Sequence, residues 1–266
     1  MTNTQRKFLR SLQQKKERKE NNSFVIEGKK IVTETLQATN SNYKIKQLFA
    51  TQDFLDNLEN QNILNNKVED VNNEDNQIEI ILSTANQLSE AGSLKSNNAA
   101  IAVVEFPVLT VPKKLENLAL LLENINDPGN LGTIIRIADW YGIEDIFCSQ
   151  QTVDLYNSKT LSATMGSFLR VNVHYGNEFE FLKLAEGNTY GAFLDGKNVH
   201  QTKFPKTGML VIGSESHGIT EKLGKEILNK ITIPSFASSN NNNEESAESL
   251  NAAIATAIIC DNWRRN

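Results

Sequence analysis

The chain has 266 residues, 39% of them hydrophobic, and a formal net charge of −5; that is enough for one large domain or two ordinary ones. Its two cysteines, Cys148 and Cys260, lie far apart in apolar runs, and its three histidines, His174, His200 and His217, do not cluster, so buried thiols are expected and a disulfide or a catalytic metal is disfavoured. With no apolar run of about 18 residues and no signal peptide, a soluble cytoplasmic protein without a membrane partner is expected.

The charge is unevenly placed. Residues 1–20 carry Arg6, Lys7, Arg10, Lys15, Lys16, Arg18 and Lys19 against Glu17 and Glu20, on a body that is acidic overall. Such a segment is a candidate electrostatic arm for RNA, or else a solvated helix. The spacing of Phe8, Leu9 and Leu12 predicts one helix over 1–20. A strand at Phe24–Gly28, a helix over 29–38, a strand over 43–50, a helix over 53–65, a strand near 78–82, a helix from Ser83 and a strand Ala100–Phe106 follow. Residues 1–107 thus read as a small α/β domain and 108–117, with its proline and charges, as a linker.

Residues 118–266 read as a second α/β domain. Strands are predicted at 118–123, 145–149, 170–174, 189–194, 209–213 and 230–233. Helices are predicted at 131–141, 155–163, 178–185, 220–229 and about 248–262. Alternation of this kind predicts a mostly parallel sheet with helices on both faces. In the last helix Leu250, Ala253, Ile254, Ala257 and Ile258 are expected to form the buried face, with Ser249 or a preceding residue as its cap. The patch Ser238–Glu245 (SSNNNNEE) is expected to be an exposed, mobile loop.

Three Gly/Asn-rich corners follow apolar strands here: Asn126–Gly132, Val211–Gly218 (VIGSESHG), and Ile231–Asn251. Loops at strand ends above helix N-termini are where open α/β sheets bind ligands. None of the three is a GxGxxG dinucleotide turn or a GxxxxGK[ST] phosphate loop, and GSESHG lacks the spacing of a GxSxG elbow. Small residues with free backbone groups suit a nucleoside held by main-chain hydrogen bonds and apolar contacts. Arg136 stands out among Ile134, Ile135, Ile137 and Ala138, as a functional cation or as a structural one. Asn130 could serve as a helix cap, Trp140 and Tyr141 as core or dimer contacts, and His217 as loop filler.

Taken in order, NDPGNLGTIIRIADWYGI, VIGSESHGI and ITIP…ESLNAAIATAI resemble the three motifs of the SpoU/TrmH family. These are S-adenosylmethionine-dependent RNA ribose 2′-O-methyltransferases of the SPOUT class. Thr164-Met165-Gly166-Ser167 is similar to a small-residue segment of that family. FVIEGKKIVTETL and IKQLFAT are similar to the ribosomal-protein-like RNA-binding domain that many members carry. The chain departs from the pattern in its longer third-motif loop, in Ser216 where glycine is common, and in Ser162 where some members carry a basic residue.

The resemblance implies an α/β domain with a C-terminal trefoil knot, a homodimer, no metal, and RNA as partner, ribosomal RNA in preference to transfer RNA. It implies that Gly213, Ile233 and Leu250 contact S-adenosylmethionine, chiefly through backbone, and that Asn130, Arg136, Glu215, Ser249 and Asn251 are the polar active-site residues. A guanidinium, with a pKa above about 12, is a poor base. Arg136 is therefore expected to grip a phosphate and stabilise a developing alkoxide rather than remove a proton. The alternatives are a transfer-RNA 2′-O-methyltransferase, or a non-catalytic RNA-binding or ribosome-assembly factor that kept the fold.

Overall fold

The computed structural model describes residues 1–38, 42–63, 78–236 and 248–265. They form two compact units, Met1–Leu109 with Tyr156–Leu169, and Thr110–Leu155 with Arg170–Asn266.

In the first unit the order is α1 (Asn3–Ser11), α2 (Lys15–Glu20), β1 (Ser23–Glu27), α3 (Lys29–Gln37), β2 (Ile45–Ala50), α4 (Gln52–Asn60), β3 (Glu79–Leu82), α5 (Ala85–Ala91) and β4 (Ala100–Glu105). The sheet order is β1-β4-β2-β3. Strand β4 runs antiparallel to β1 and β2, while β3 is parallel to β2. The apolar run Ala100–Val104 is buried throughout, as a central strand covered on both faces should be. Leu9, Leu12, Val25, Phe49, Leu88, Ala91, Ile101 and Val103 close one core beneath it.

The single helix expected over 1–20 is two helices. The guanidinium of Arg18, only 4% exposed, donates through Nη1 to the carbonyls of Leu12 (3.0 Å) and Gln13 (2.8 Å). Those bonds satisfy carbonyls that the end of α1 leaves without a helical partner, and so fix the break. Arg6 pairs with the Glu90 carboxylate, and Arg10 Nε donates to the Glu90 carbonyl at 2.8 Å. Three of the cations expected to form an arm are therefore spent inside the unit, while Lys7, Lys15, Lys16 and Lys19 face solvent.

The chain continues through β5 (Leu118–Leu122), α6 (Pro128–Trp140), β6 (Asp145–Ser149), α7 (Ser158–Thr164, grouped with the first unit), β7 (Asn172–Gly176), α8 (Glu178–Lys183), β8 (Thr189–Asn198), β9 (Gly208–Ile212), α9 (Glu221–Gly224), β10 (Asn229–Thr232) and α10 (Ala252–Arg264). The second unit's sheet has the order β10-β8-β9-β5-β6-β7, and every neighbouring pair is parallel. Its central strands β5 (LALLL) and β9 (GMLVI) are wholly buried. Cys148 and Cys260 are buried free thiols, and burial pushes the Cys260 thiol up to about 12.

Three expectations change here. The helix predicted over 220–229 is the short α9. Helix α10 begins at Ala252 rather than 248, and its cap is Asn251, not Ser249. Its buried face is Ala252, Ala253, Thr256, Ile259, Cys260 and Trp263, while Ile254 is 52% and Leu250 48% exposed. Residues 251–260 (NAAIATAIIC) are apolar on nearly every side, so periodicity cannot choose a face. Trp263 chooses it: its indole N–H donates to the Pro205 carbonyl at 2.7 Å, and its ring stacks on Phe204. The SSNNNNEE patch lies outside the described residues. No described helix is long and apolar enough to cross a membrane.

Replacing Arg18 with methionine leaves the buried Leu12 carbonyl and the part-buried Gln13 carbonyl without their donor. The expected loss is about 2 kcal/mol, read as a lower unfolding midpoint in urea with an unchanged slope.

Candidate functional site

Because β5, β9, β8 and β10 are parallel, the chain leaves each of them at the same edge of the sheet. The first corner leaves β5 through Asn124, whose φ is +56°. It enters α6 at Asp127, where Oδ1 accepts the Asn130 N–H at 2.7 Å and Pro128 opens the helix. Asp127 is thus the cap, which frees the Asn130 side chain from that role.

The second corner leaves β9 at Gly213. The Ser214 N–H donates to the Gly218 carbonyl (3.1 Å) and the Gly218 N–H to the Ser214 carbonyl (2.9 Å). This closure pushes Glu215, Ser216 and His217 into solvent. A Cβ at Gly213 would run into the backbone of Gly218 and Ile219, so only bare main chain fits there. The third corner ends at Asn251, whose Oδ1 accepts the N–H groups of Ala253 (2.9 Å) and Ile254 (3.3 Å).

The three corners are joined by side-chain amides. Asn251 Nδ2 donates to Asn130 Oδ1 at 2.8 Å, and Asn130 Nδ2 donates to Glu215 Oε1. Each orientation follows from the one before. The Asn251 oxygen is committed to the helix cap, so its NH2 must face Asn130; the Asn130 oxygen receives that bond, so its own NH2 must face Glu215. The carboxylate stands at the end of a relay that begins at a helix N-terminus.

Helices α6 and α10 lie side by side and parallel. Asn130 and Asn251 meet at their N-terminal ends. At the other ends Arg264 donates from Nε to the Tyr141 carbonyl (2.8 Å) and from Nη2 to the Gly142 carbonyl (2.9 Å). Both partially positive N-termini therefore open toward Glu215, which favours an anion there.

Of the five polar residues singled out in the sequence, Asn130, Glu215 and Asn251 come together. Ser249 is exposed and forms no hydrogen bond among the described residues. Arg136 is exposed as well, without a hydrogen bond or ion pair among the described residues. It lies six positions after Asn130, which is roughly 9 Å along the helix and about 240° around it. The residue one turn further on, Trp140, is 84% exposed and not part of the core. The backbone N–H groups of Gly213, Ile233 and Leu250 donate no hydrogen bond among the described residues. Among the described residues no group of three or more His, Cys, Asp or Glu is placed to hold a metal. Sequence reasoning missed Asp127 as the cap and Glu123 beneath the corner. The signal for Glu123 was a lone acid directly after the apolar run LALLL.

Two family patterns cover this architecture. The SpoU rRNA methylase family matches residues 117–261, which contain all three corners. The chain belongs to the SpoU rRNA methylase family. In this SpoU member the preceding residues 3–91 match the MRM3-like substrate binding domain. The chain is similar to the 23S rRNA (guanosine(2553)-2′-O)-methyltransferase RlmP of Bacillus subtilis, with 26% identity over 95% of this chain and 93% of the relative. It is similar over a shorter span to the tRNA (guanosine(18)-2′-O)-methyltransferase of Thermus thermophilus, with 26% identity over 55% of this chain and 74% of that one. Among solved structures, the AdoMet-bound rRNA methyltransferase of Sinorhizobium meliloti superposes with a TM-score of 0.82 at 26% identity, covering 100% of this chain and 95% of that one.

The two functions of Asn251 in this SpoU member separate by substitution. Asn251→Ala removes the α10 cap and should cost about 1 kcal/mol, measured by thermal or urea unfolding. Asn251→Asp keeps a capping oxygen and should unfold close to wild type.

Proposed function

We infer that this chain transfers the methyl group of S-adenosylmethionine to a ribose 2′-hydroxyl in structured RNA, and that the RNA is ribosomal. The observation that carries the reading is the Asn251–Asn130–Glu215 relay, which gathers three distant corners at the carboxyl edge of a parallel sheet. The ribosomal preference is supported by the extent of similarity: the relative acting on 23S rRNA matches along nearly the whole chain, including the substrate-binding unit, and the tRNA-acting relative only along about half of it.

The chain's residues fit the methyl donor. Gly213, Ile233 and Leu250 offer unused backbone N–H groups, and at Gly213 no side chain can intrude. S-adenosylmethionine, when bound, supplies a methyl group made electrophilic by its sulfonium. The protein's task is then to bind and orient the ribose. Glu215 is exposed at the end of the relay and accepts the hydrogen bond of the 2′-hydroxyl, while Asn130 holds the carboxylate in position. Ser249, next to Leu250, contacts the ribose–phosphate backbone. Arg136 grips the adjacent phosphate through its two-pronged guanidinium and stabilises charge that develops on the ribose oxygen.

The active form is a homodimer. Arg136, Trp140 and Ile254 are exposed on α6 and α10, and Arg136 lies about 240° around α6 from Asn130. A second copy covering this face buries Trp140 and brings Arg136 to RNA held across the two copies. Residues 1–107 position RNA and 118–266 carry methyl transfer, joined by the 108–117 linker. The C-terminal domain takes the family's trefoil knot. The protein works in the cytoplasm.

Calorimetry with S-adenosylmethionine, followed by mapping of ribose methylation across total RNA from a deletion strain, tests the reading. Binding and the loss of one ribosomal 2′-O-methyl group are expected; absence of binding would favour a non-catalytic RNA-binding factor. Arg136→Ala should lower methyl transfer by at least about 100-fold while leaving S-adenosylmethionine binding unchanged. Trp140→Glu should turn the dimer into a monomer by sedimentation, because it buries a charge at the centre of the face.

A further inference from the structure

Glu123 is 2% exposed and stands outside the relay. Both of its carboxylate oxygens are engaged: Oε2 accepts the Thr220 N–H at 2.8 Å, and Oε1 accepts the Thr220 Oγ1–H at 2.6 Å. Thr220 Oγ1 in turn accepts the Leu223 N–H and caps α9. The backbone N–H of Glu123 donates to the Ile212 carbonyl at 2.9 Å. One residue therefore holds both ends of the second corner: Ile212, where the chain leaves β9, and Thr220, where it enters α9. Between those two points lie Gly213 and Glu215. The residue after Glu123 is Asn124, in the left-handed region, whose N–H donates to Ser149 Oγ at 3.0 Å. Glu123 is thus anchored on its other side to the start of the first corner.

A buried carboxylate is costly to desolvate unless its hydrogen bonds are made, and an apolar side chain would fill the same space without that cost. The residue's position suggests what the acid supplies instead. We propose that Glu123 is a positioning residue for methyl transfer: through Thr220 it sets the conformation of the 213–219 loop, and with it the main chain of Gly213 that meets the methyl donor and the reach of Glu215. This rests on the functional reading above.

The test compares Thr220→Val, which leaves Glu123 Oε1 buried without a partner, with Thr220→Ser, which keeps both bonds. Both are measured with full-length protein at a temperature where circular dichroism shows them folded. Thr220→Val should weaken S-adenosylmethionine binding and raise its KM by about tenfold or more, the scale of one lost buried hydrogen bond to a charged group. The KM for RNA should change less than the donor KM, kcat should fall because Glu215 shifts with the loop, and Thr220→Ser should restore donor binding and kcat. A purely structural role would lower the melting temperature of Thr220→Val but leave the donor affinity of the folded protein unchanged; that result overturns the proposal. Should Thr220→Val fail to fold, Glu123→Gln and Glu123→Leu decide in the same assay. The amide can replace both contacts only by reversing the one to Oγ1, so it is paired with Glu123→Leu, which removes both acceptors: weakened donor binding of the folded Glu123→Leu protein supports the proposal and wild-type binding overturns it. Wild-type protein that binds no S-adenosylmethionine would instead sink the functional reading, and this inference with it.

Discussion

The Asn251 side chain can point only one way. Its oxygen takes the N–H groups of Ala253 and Ile254 at the start of α10, so its hydrogens are presented to Asn130. Asn130 must then present its own hydrogens to Glu215. A helix cap, ordinarily a local device, here dictates the polarity of contacts between residues 121 and 85 positions apart in the chain. Removing the direction of the first bond would reverse the second and set two oxygens against each other at the carboxylate.

The scaffold around this relay fixes its three residues to strand ends and helix starts. Parallel strands deliver all three to one edge of the sheet. Arg264 fastens the C-terminal end of α10 to the chain just beyond α6, so the N-terminal ends that carry Asn130 and Asn251 are held from behind. Glu123 spans both ends of the second corner. Gly213 leaves the main chain uncovered because the returning Gly218–Ile219 backbone admits no side chain. Rigid placement is what a reaction needs when the enzyme's contribution is orientation and electrostatic complement.

Electrostatics divide the cationic residues by type. In the first unit the arginines hold the fold: Arg6 and Arg10 tie α1 to Glu90, and Arg18 closes the end of α1. The lysines Lys7, Lys15, Lys16 and Lys19 stay in solvent. In the second unit Arg136 is the opposite case, an arginine without an intramolecular partner among the described residues. An acidic net charge is therefore compatible with an RNA partner, since the relevant cations are local.

The sequence by itself determined where the strands lie, because short apolar runs such as LALLL and GMLVI, bounded by turn residues, read as strands buried on both faces. It also determined which residue types occupy the three corners, through the order of motifs along the chain. Only the tertiary structure decided the break between α1 and α2, which depends on Arg18 reaching back to two carbonyls. The same holds for the rotation of α10, set by Trp263 against Pro205 and Phe204 because the helix is apolar on nearly every side. It also separated the five polar residues, joining Asn130, Glu215 and Asn251 and leaving Arg136 and Ser249 outside the relay. The physical reason is common to all of these. Hydrophobic pattern is a property of neighbouring residues, whereas the direction of a hydrogen bond depends on which distant group arrives to receive it.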